Sequence, residues 1–250
     1  MRLARPLLIA GGLLALWHLL VLATGVPPYI LPDPLRVART LWARADLVAA
    51  HTATTALEIL LGLFFGTVLG AGSALLLAAS RRARAWVLPV LVASQALPVF
   101  ALAPLLVLWL GYGIASKVAM AVLIIYFPVA STFFDGLRRT PEGWLELARV
   151  MDARPLAILL RLRLPAALPA LASGLRVAAA VAPIGAVVGE WVGSSSGLGY
   201  LMLHANARMQ TDLLFAALFV LCLLALSLWF AVDRALARAI RWQPETAHPT

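Results

Sequence analysis

The sequence predicts an all-α polytopic membrane protein with about six transmembrane helices. Three observations carry this. Of the 250 residues, 63% are hydrophobic and only 12% charged, with a mean hydropathy of +0.95. A soluble domain is about half apolar and about a quarter charged. Apolar runs of helix-spanning length recur along the chain, and basic residues crowd the segments between alternate runs. This composition excludes an ordinary soluble enzyme, a disordered chain and a fibrous protein. The net charge of +9 would suggest nucleic acid in a soluble domain. In a membrane chain it reads as loop bias, with no nucleic-acid partner. The single cysteine, Cys222, excludes an internal disulfide and a four-cysteine metal site, and no cofactor is implied.

The spans follow in order, as one transmembrane domain over 1–250 with a core of about 51–241. Pro6 to Thr24 is the first, preferred over a secretory signal because the run is long and no small-residue cleavage site follows. Gly25 to His51 holds four prolines, then an amphipathic stretch from Pro34 to Val48, and reads as an extracytoplasmic surface segment. Ile59 to Ser80 is the second span. Its Gly62, Gly66 and Gly70 form a small-residue stripe that lets another helix approach closely. The third span is expected at about Val87 to Leu110, kinked or broken near Pro89, Pro98 and Pro104. Val118 to Phe134, Leu164 to Val188 and Leu213 to Val232 complete the set. Residues 242–250 form a short polar tail.

The arginines orient the chain. With the N-terminus inside, the inner segments hold fourteen of the twenty basic residues. The outer ones hold Arg36, Arg39, Arg44, Lys117 and Arg208, while Arg176 lies within a span. Both termini are therefore expected in the cytoplasm.

The loop from Asp135 to Arg163 is the most informative segment. Thr140-Pro141-Glu142 reads as a helix start, with Thr140 as cap and Pro141 in the first helical position. Trp144, Leu147, Ala148 and Met151 follow at helical spacing and predict one apolar face, with a Glu146–Arg149 pair on the other side. Asp152-Ala153-Arg154-Pro155 breaks the helix, and Pro155 starts a second one. On these residues alone, a protein-docking element and a loop resting on membrane lipid headgroups are equally good readings.

Here the sequence resembles the permeases of bacterial ABC importers. Their inner loop has the pattern E-A-A, three residues, G, nine residues, I-x-L-P. This chain reads Glu146-Leu147-Ala148, then Asp152 at the glycine position, then Leu162-Arg163-Leu164-Pro165, with the spacing kept throughout. Leu31-Pro32-Asp33-Pro34, the glycine-rich second span, Pro98 to Leu105 and Trp109-Leu110-Gly111-Tyr112-Gly113 also resemble the family in order and type. The likeness covers nearly the whole chain. It is similar to the branch that imports sulfonates, taurine, nitrate and thiamine precursors, and is most like hydroxymethylpyrimidine permeases.

The resemblance implies a type I ABC importer permease fold, a homodimer, two ATPase subunits, an extracytoplasmic solute-binding protein and a small-molecule substrate. It implies that residues 135–165 are the coupling loop, with Trp144, Glu146, Leu147, Ala148, Met151, Asp152 and Ala153 facing an ATPase groove. Asp152 replaces a glycine expected at positive φ, a conformation that aspartate tolerates. The chain has no G-x-x-x-x-G-K-[ST] phosphate loop, since its only lysine, Lys117, follows Ser116. ATP hydrolysis is therefore expected on another chain, and the permease itself is not expected to be an enzyme.

Arg176 sits near the middle of a span, where a charge should face protein, water or a counter-ion. It reads either as a polar position on a translocation path or as a brace, with Glu58 as one possible partner. Gly185 and Glu190 are further path candidates, as the resemblance implies that this helix lines the pathway. His18 and Cys222 read as packed side chains.

Two rival classes remain. Gly193-Ser194-Ser195-Ser196-Gly197 formally matches G-x-S-x-G, with His204 and Asp212 following. That hydrolase motif needs a strand–turn–helix setting, and an apolar helix precedes it here. A short amphipathic re-entrant helix is expected over Leu198 to Met202. A proton-coupled carrier is the other rival, weakened by the lack of an inverted repeat between the two halves.

Overall fold

The computed structural model describes residues 4–94 and 97–242. Among them the chain forms helices α1 (Ala4–Thr24), α2 (Pro34–Ala43), α3 (Ala45–Ala79), α4 (Arg81–Ser94), α5 (Val99–Leu110), α6 (Ile114–Arg138), α7 (Glu142–Val150), α8 (Pro155–Ile158), α9 (Leu164–Gly193), α10 (Leu198–Ala207) and α11 (Thr211–Ala239). A π-helical turn, Leu159–Arg163, joins α8 to α9. Four helices are long and apolar enough to cross a membrane: Ala45–Ala79, Ile114–Arg138, Pro155–Gly193 and Thr211–Ala239.

The six expected spans need three revisions. First, the second span begins at Ala45 and runs for 35 residues, about 52 Å at 1.5 Å per residue. The expected surface segment therefore ends near Ala43, and His51 is already helical. Second, the third span is two helices that end and start around Leu97-Pro98. Pro98 precedes the first residue of α5, where its missing N–H costs nothing. Third, α9 extends back to Pro155 through the π turn, giving 39 residues. The proposed tail lies outside the described residues from 243 onward.

Helix α6 is the centre of the bundle, packed along its length between α3 and α9. Small residues make that approach possible. A Cβ on Gly66 would fall 2.6 Å from Ile125 Cγ2, and one on Gly70 would fall 2.9 Å from the Tyr126 carbonyl oxygen. A Cβ on Gly62 would collide with Ala121. The expected glycine stripe thus meets Ala121, Ile125 and Val129, which recur at the same four-residue spacing, so α3 and α6 run parallel. On the other side Gly174 meets Thr132, Gly185 meets Ala121 and Gly189 meets Lys117. That order is reversed, so α9 is antiparallel to α6. Ile59, Ala121, Ile125, Val129, Ala178, Ala182 and Ala186 fill the space between the three helices.

The bundle therefore has two distinct ends. The C-termini of α3, α6 and α11 and the α7–α8 segment share one end, rich in arginine. The N-termini of α3 and α6, the C-terminus of α9, and α10 share the other.

Candidate functional site

At the arginine-rich end, α7 is a nine-residue helix, Glu142–Val150. Ala148 anchors it and is buried. Trp144, Leu147, Val150 and Met151 are exposed, from 54% for Trp144 to 85% for Val150. The expected face is thus split: Ala148 turns inward, and Val150 joins the outer apolar surface. Val150 was not singled out because it falls off the i, i+3, i+4, i+7 pattern. Glu146 is also exposed. Among the described residues no ion pair joins it to Arg149, so the expected Glu146–Arg149 pair is absent. Thr140 does not cap α7 either. Its hydroxyl donates to the Leu137 carbonyl at 3.3 Å, and Pro141 takes the cap position.

The C-terminus of α7 ends as the glycine-position argument requires. Asp152 has φ +56°. Its N–H donates to the Arg149 carbonyl at 3.0 Å, and the Ala153 N–H donates to the Ala148 carbonyl at 2.9 Å. This pair of bonds is a Schellman motif, and it satisfies two carbonyls that the helix end leaves free. Pro155 then opens α8. The motif fixes how α7 leads into α8, and so how α7 is held relative to α9.

At the opposite end, Glu190 near the C-terminus of α9 is 1% exposed. Its carboxylate accepts hydrogen bonds from Thr55 Oγ1 at 2.6 Å, the Gly199 N–H at 2.5 Å and the Tyr200 N–H at 3.4 Å. Thr55 Oγ1 also accepts from the Leu198 N–H at 2.7 Å, and His51 Nδ1 accepts from the Gly197 N–H at 3.0 Å. Side chains from α3 and α9 thus satisfy four N–H groups at the start of α10, which would otherwise be unpaired. A negative group also suits the positive end of that helix. Gly197 has φ +107°, and a Cβ on it would collide with the Glu190 carboxyl. Only glycine meets both demands.

The Glu58 carboxyl of α3 is also 1% exposed, and its Oε2 is buried without a hydrogen-bond partner. Lys117 is the one buried cation among the described residues, 4% exposed, with Nζ donating to the carbonyls of Tyr112 at 2.7 Å and Gly113 at 3.0 Å. Sequence reasoning placed Lys117 in an outer loop. It lies instead in the first turn of α6, where its long stem is covered by α9 at Gly189.

The remaining expectations divide. Arg176 pairs with Asp233 of α11, Nε to Oδ1 at 2.7 Å, and not with Glu58. Both side chains are about a third exposed, at the edge of an exposed stripe on α9 formed by Ser173, Val177, Ala180 and Ile184. Gly185 is buried where α9 meets the backbone of α6 at Ala121. His18 is not simply packed, since its Nδ1 meets the Asp33 carboxylate, and Cys222 is exposed. The hydrolase constellation does not assemble. Ser195 is exposed, His204 lies against the ring of Tyr200, and Asp212 pairs with Arg36 at 3.0 Å. A helix forms over the expected Leu198 to Met202 and continues to Ala207.

Parallel and antiparallel helices packed on glycine, four of them long and apolar enough to cross a membrane, with a short helix pair at the basic end, make an all-α membrane bundle. The chain belongs to the family of binding-protein-dependent transport system inner membrane components, which matches residues 58–242. A probable ABC transporter permease of Haemophilus influenzae is 59% identical over 96% of this chain and 98% of that protein. The formylaminopyrimidine transport permease ThiX of Halalkalibacterium halodurans is 37% identical over 95% of each chain. In fold, the chain matches a chain of the MetNI methionine ABC transporter in an inward-facing conformation. The TM-score is 0.68 at 22% identity, covering 79% of this chain and 98% of that one. The fold is that of a type I ABC importer permease. The protein is the permease component, and ATP hydrolysis falls to a separate subunit.

Proposed function

We propose that this permease carries a small solute into the cytoplasm in an ATP-driven importer, as a homodimer with two ATPase subunits and an extracytoplasmic binding protein. The observation that carries this reading is the exposed apolar surface of α7. Four large side chains stand out from a helix that is anchored by Ala148 and terminated rigidly at Asp152 and Ala153. Such a surface fits a groove on a partner protein better than water. Glu146 sits beside it as an orienting charge. The basic segments around α7 support a cytoplasmic position for this end and for both termini.

The substrate proposed is a pyrimidine precursor of thiamine, supported by the relative named for formylaminopyrimidine transport. The sparse charge of the membrane helices suits a neutral heteroaromatic solute. A sulfonate, taurine, nitrate or riboflavin would be moved by the same mechanism. We place the pathway along the exposed stripe of α9, with Arg176 at its edge. Gly185 and Glu190 shape that wall from behind, one by admitting α6 and the other by holding α10.

Replacing Leu147 with Asp tests the coupling role. It sets an unpaired charge against an apolar partner surface, at a cost of about 1–3 kcal/mol or more. The variant should insert normally yet lose ATPase association in a pull-down, or lose substrate-stimulated hydrolysis in proteoliposomes. Glu146→Ala should be milder, because exposed ion pairs contribute little. Normal association and coupling in Leu147→Asp would refute the docking role of α7.

A further inference from the structure

Helix α1 is tied to the bundle through Trp17 and His18. The Trp17 ring lies 5.7 Å from that of Phe215 on α11, and His18 meets the Asp33 carboxylate just ahead of α2. Between α1, α2 and α11 lies an open cavity of about 440 Å³, with Leu14, Trp17, Leu35, Val37 and Phe219 in its wall. A second cavity, of about 600 Å³, lies between α2, α3 and α11, with Trp42, Val48, Ala53 and Val220 in its wall. Ala38 and Leu41 of α2 line both, so the two cavities are arms of one forked groove. Apart from His18 and Thr52, the walls are aliphatic and aromatic. Water gains little in such a groove, because it needs two to four polar partners. Empty space would forfeit dispersion contacts along every wall. In a bilayer the molecule at hand is an acyl chain. A methylene group fills about the volume of a water molecule, roughly 30 Å³, so the arms take about 15 and about 20 such groups. That is the size of a fatty-acyl chain in each arm.

The charge at the fork points to the other half of the ligand. Arg39 follows Ala38 directly, is exposed, and makes no ion pair among the described residues. Its neighbour Arg36 is already balanced by Asp212 at 3.0 Å. Leu35 and Trp42, four residues before and three after Arg39, share its face and are 58% and 88% exposed. A cation set between an aliphatic and an indole side chain, above an apolar groove, suits a helix lying in the membrane interface. We propose that the groove binds one anionic phospholipid, with its phosphate on Arg39 and one acyl chain in each arm. The single negative charge of the lipid neutralises Arg39. Its chains fill the space that separates α1 from α2 and α11 on one side, and α2 from α3 on the other. The lipid is then the packing that fixes α1 against the bundle.

The test uses the full-length permease, stripped of lipid in mild detergent and titrated with phosphatidylglycerol while native mass spectrometry counts the bound molecules. One per chain should bind, ahead of phosphatidylcholine with the same acyl chains. Arg39→Gln should weaken phosphatidylglycerol about fivefold, the share of one arginine near a membrane surface, and leave phosphatidylcholine unchanged. Arg208→Gln, at an exposed position outside the groove, should change neither. Ala38→Leu, which fills the fork, should abolish tight binding of both lipids. Should that variant fail to insert, brominated phosphatidylglycerol at trace level in phosphatidylcholine nanodiscs locates the chains. It should quench Trp17 in one arm and Trp42 in the other, read by difference from Trp17→Phe and Trp42→Phe. In a Leu16→Cys variant, cross-linking to Cys222 across the neighbouring cavity should fall when lipid is stripped. It should return with phosphatidylglycerol and not with inorganic phosphate. Recovery with inorganic phosphate would mean a free anion and overturn the lipid. Equal weakening by Arg39→Gln and Arg208→Gln would reduce the effect to general surface charge and overturn the site. Binding that survives Ala38→Leu, or quenching of Trp42 alone, would overturn the forked seat. An absence of bound lipid, with two copies cross-linking through Leu35→Cys, would give the groove to a second copy of the chain and overturn the proposal.

Discussion

The crossing of α3 and α6 sets a quantitative test of how this bundle is held together. Gly66→Ala adds one methyl group. Built on the present backbone, that carbon would lie 2.6 Å from Ile125 Cγ2 and 2.9 Å from Ile125 Cβ. The second distance matters more. A Cγ2 methyl can swing away, but Cβ is fixed to the backbone of α6. The two helices must therefore separate, and α6 is held from behind by α9, where Gly185 already brings a backbone within reach of Ala121.

Overpacking of this kind costs about 1–3 kcal/mol. Helix propensity works in the opposite direction, since alanine is favoured over glycine by about 1 kcal/mol. Gly72, on the same helix, separates the two terms. A Cβ there meets nothing within 4 Å, so Gly72→Ala feels propensity alone. Thermal unfolding in nanodiscs, followed by loss of monodisperse protein, should place Gly72→Ala at or slightly above wild type. Gly66→Ala should melt several degrees lower, by the rule of about 2–4 °C per kcal/mol for chains near this length. Combining Gly66→Ala with Ile125→Ala should cost less than the sum of the single changes, because loss of Cγ2 removes the 2.6 Å contact, while the part of the penalty due to Cβ should remain. Equal stability of Gly66→Ala and Gly72→Ala would refute the close-packing argument.

Two further outcomes are expected. Asp152→Gly should raise the melting temperature by the equivalent of about 0.5–1 kcal/mol, because it keeps the Schellman bonds and relieves an L-residue held at positive φ. Lowered stability would show that the aspartate carboxyl has a contact of its own. If Arg176 is only a brace, Arg176→Gln should lower stability while leaving uptake per folded complex intact, and Arg176→Gln with Asp233→Asn should recover part of the loss, since neither charge is then left unpaired. If the guanidinium lies on the solute path, uptake should fall with assembly unchanged in both the single and the double variant.

The helical bundle was legible because its signals are local and repeated. Apolar run length marked the spans, a four-residue glycine period marked the face of α3 that another helix approaches, and the Asp152 turn followed from one backbone requirement. What the sequence hid were partnerships between distant residues. Glu58 and Arg176 are both charges in apolar helices, and pairing them by sign was reasonable. Their rotational positions instead send Arg176 to Asp233 and bury Glu58 out of its reach. Lys117 looked like a loop residue because it follows a Gly-Tyr-Gly turn. Yet two carbonyls of that turn are what hold its ammonium inside. The early start of α3 was missed for a related reason. His51 read as the end of a surface segment, but its Nδ1 and Thr55 Oγ1, one turn on, accept from the first N–H groups of α10.

The two ends of the molecule are tied by one structural member, and this decides how they can act on each other. Helix α9 begins at the π turn that follows α7 and α8, and it ends three residues past Glu190. Between them it packs on α6 through Gly174, Gly185 and Gly189, where close backbone contact leaves little room to bend locally. In the proposed importer, a push on α7 therefore cannot be absorbed by α9 in the middle of the bundle. It reaches Glu190 as a shift or rotation of the whole helix. A shift of even part of a hydrogen-bond length is enough to strain the two bonds into α10 and the one to Thr55 at once, because all three converge on one carboxylate. Thr55 resists from α3, which is parallel to α6 and does not share the α7 connection. The α10 cap is thus the place where a rigid-body movement of α9 against α3 must either stall or break contacts, and the basic end and the α10 end need no chain of side-chain signals between them.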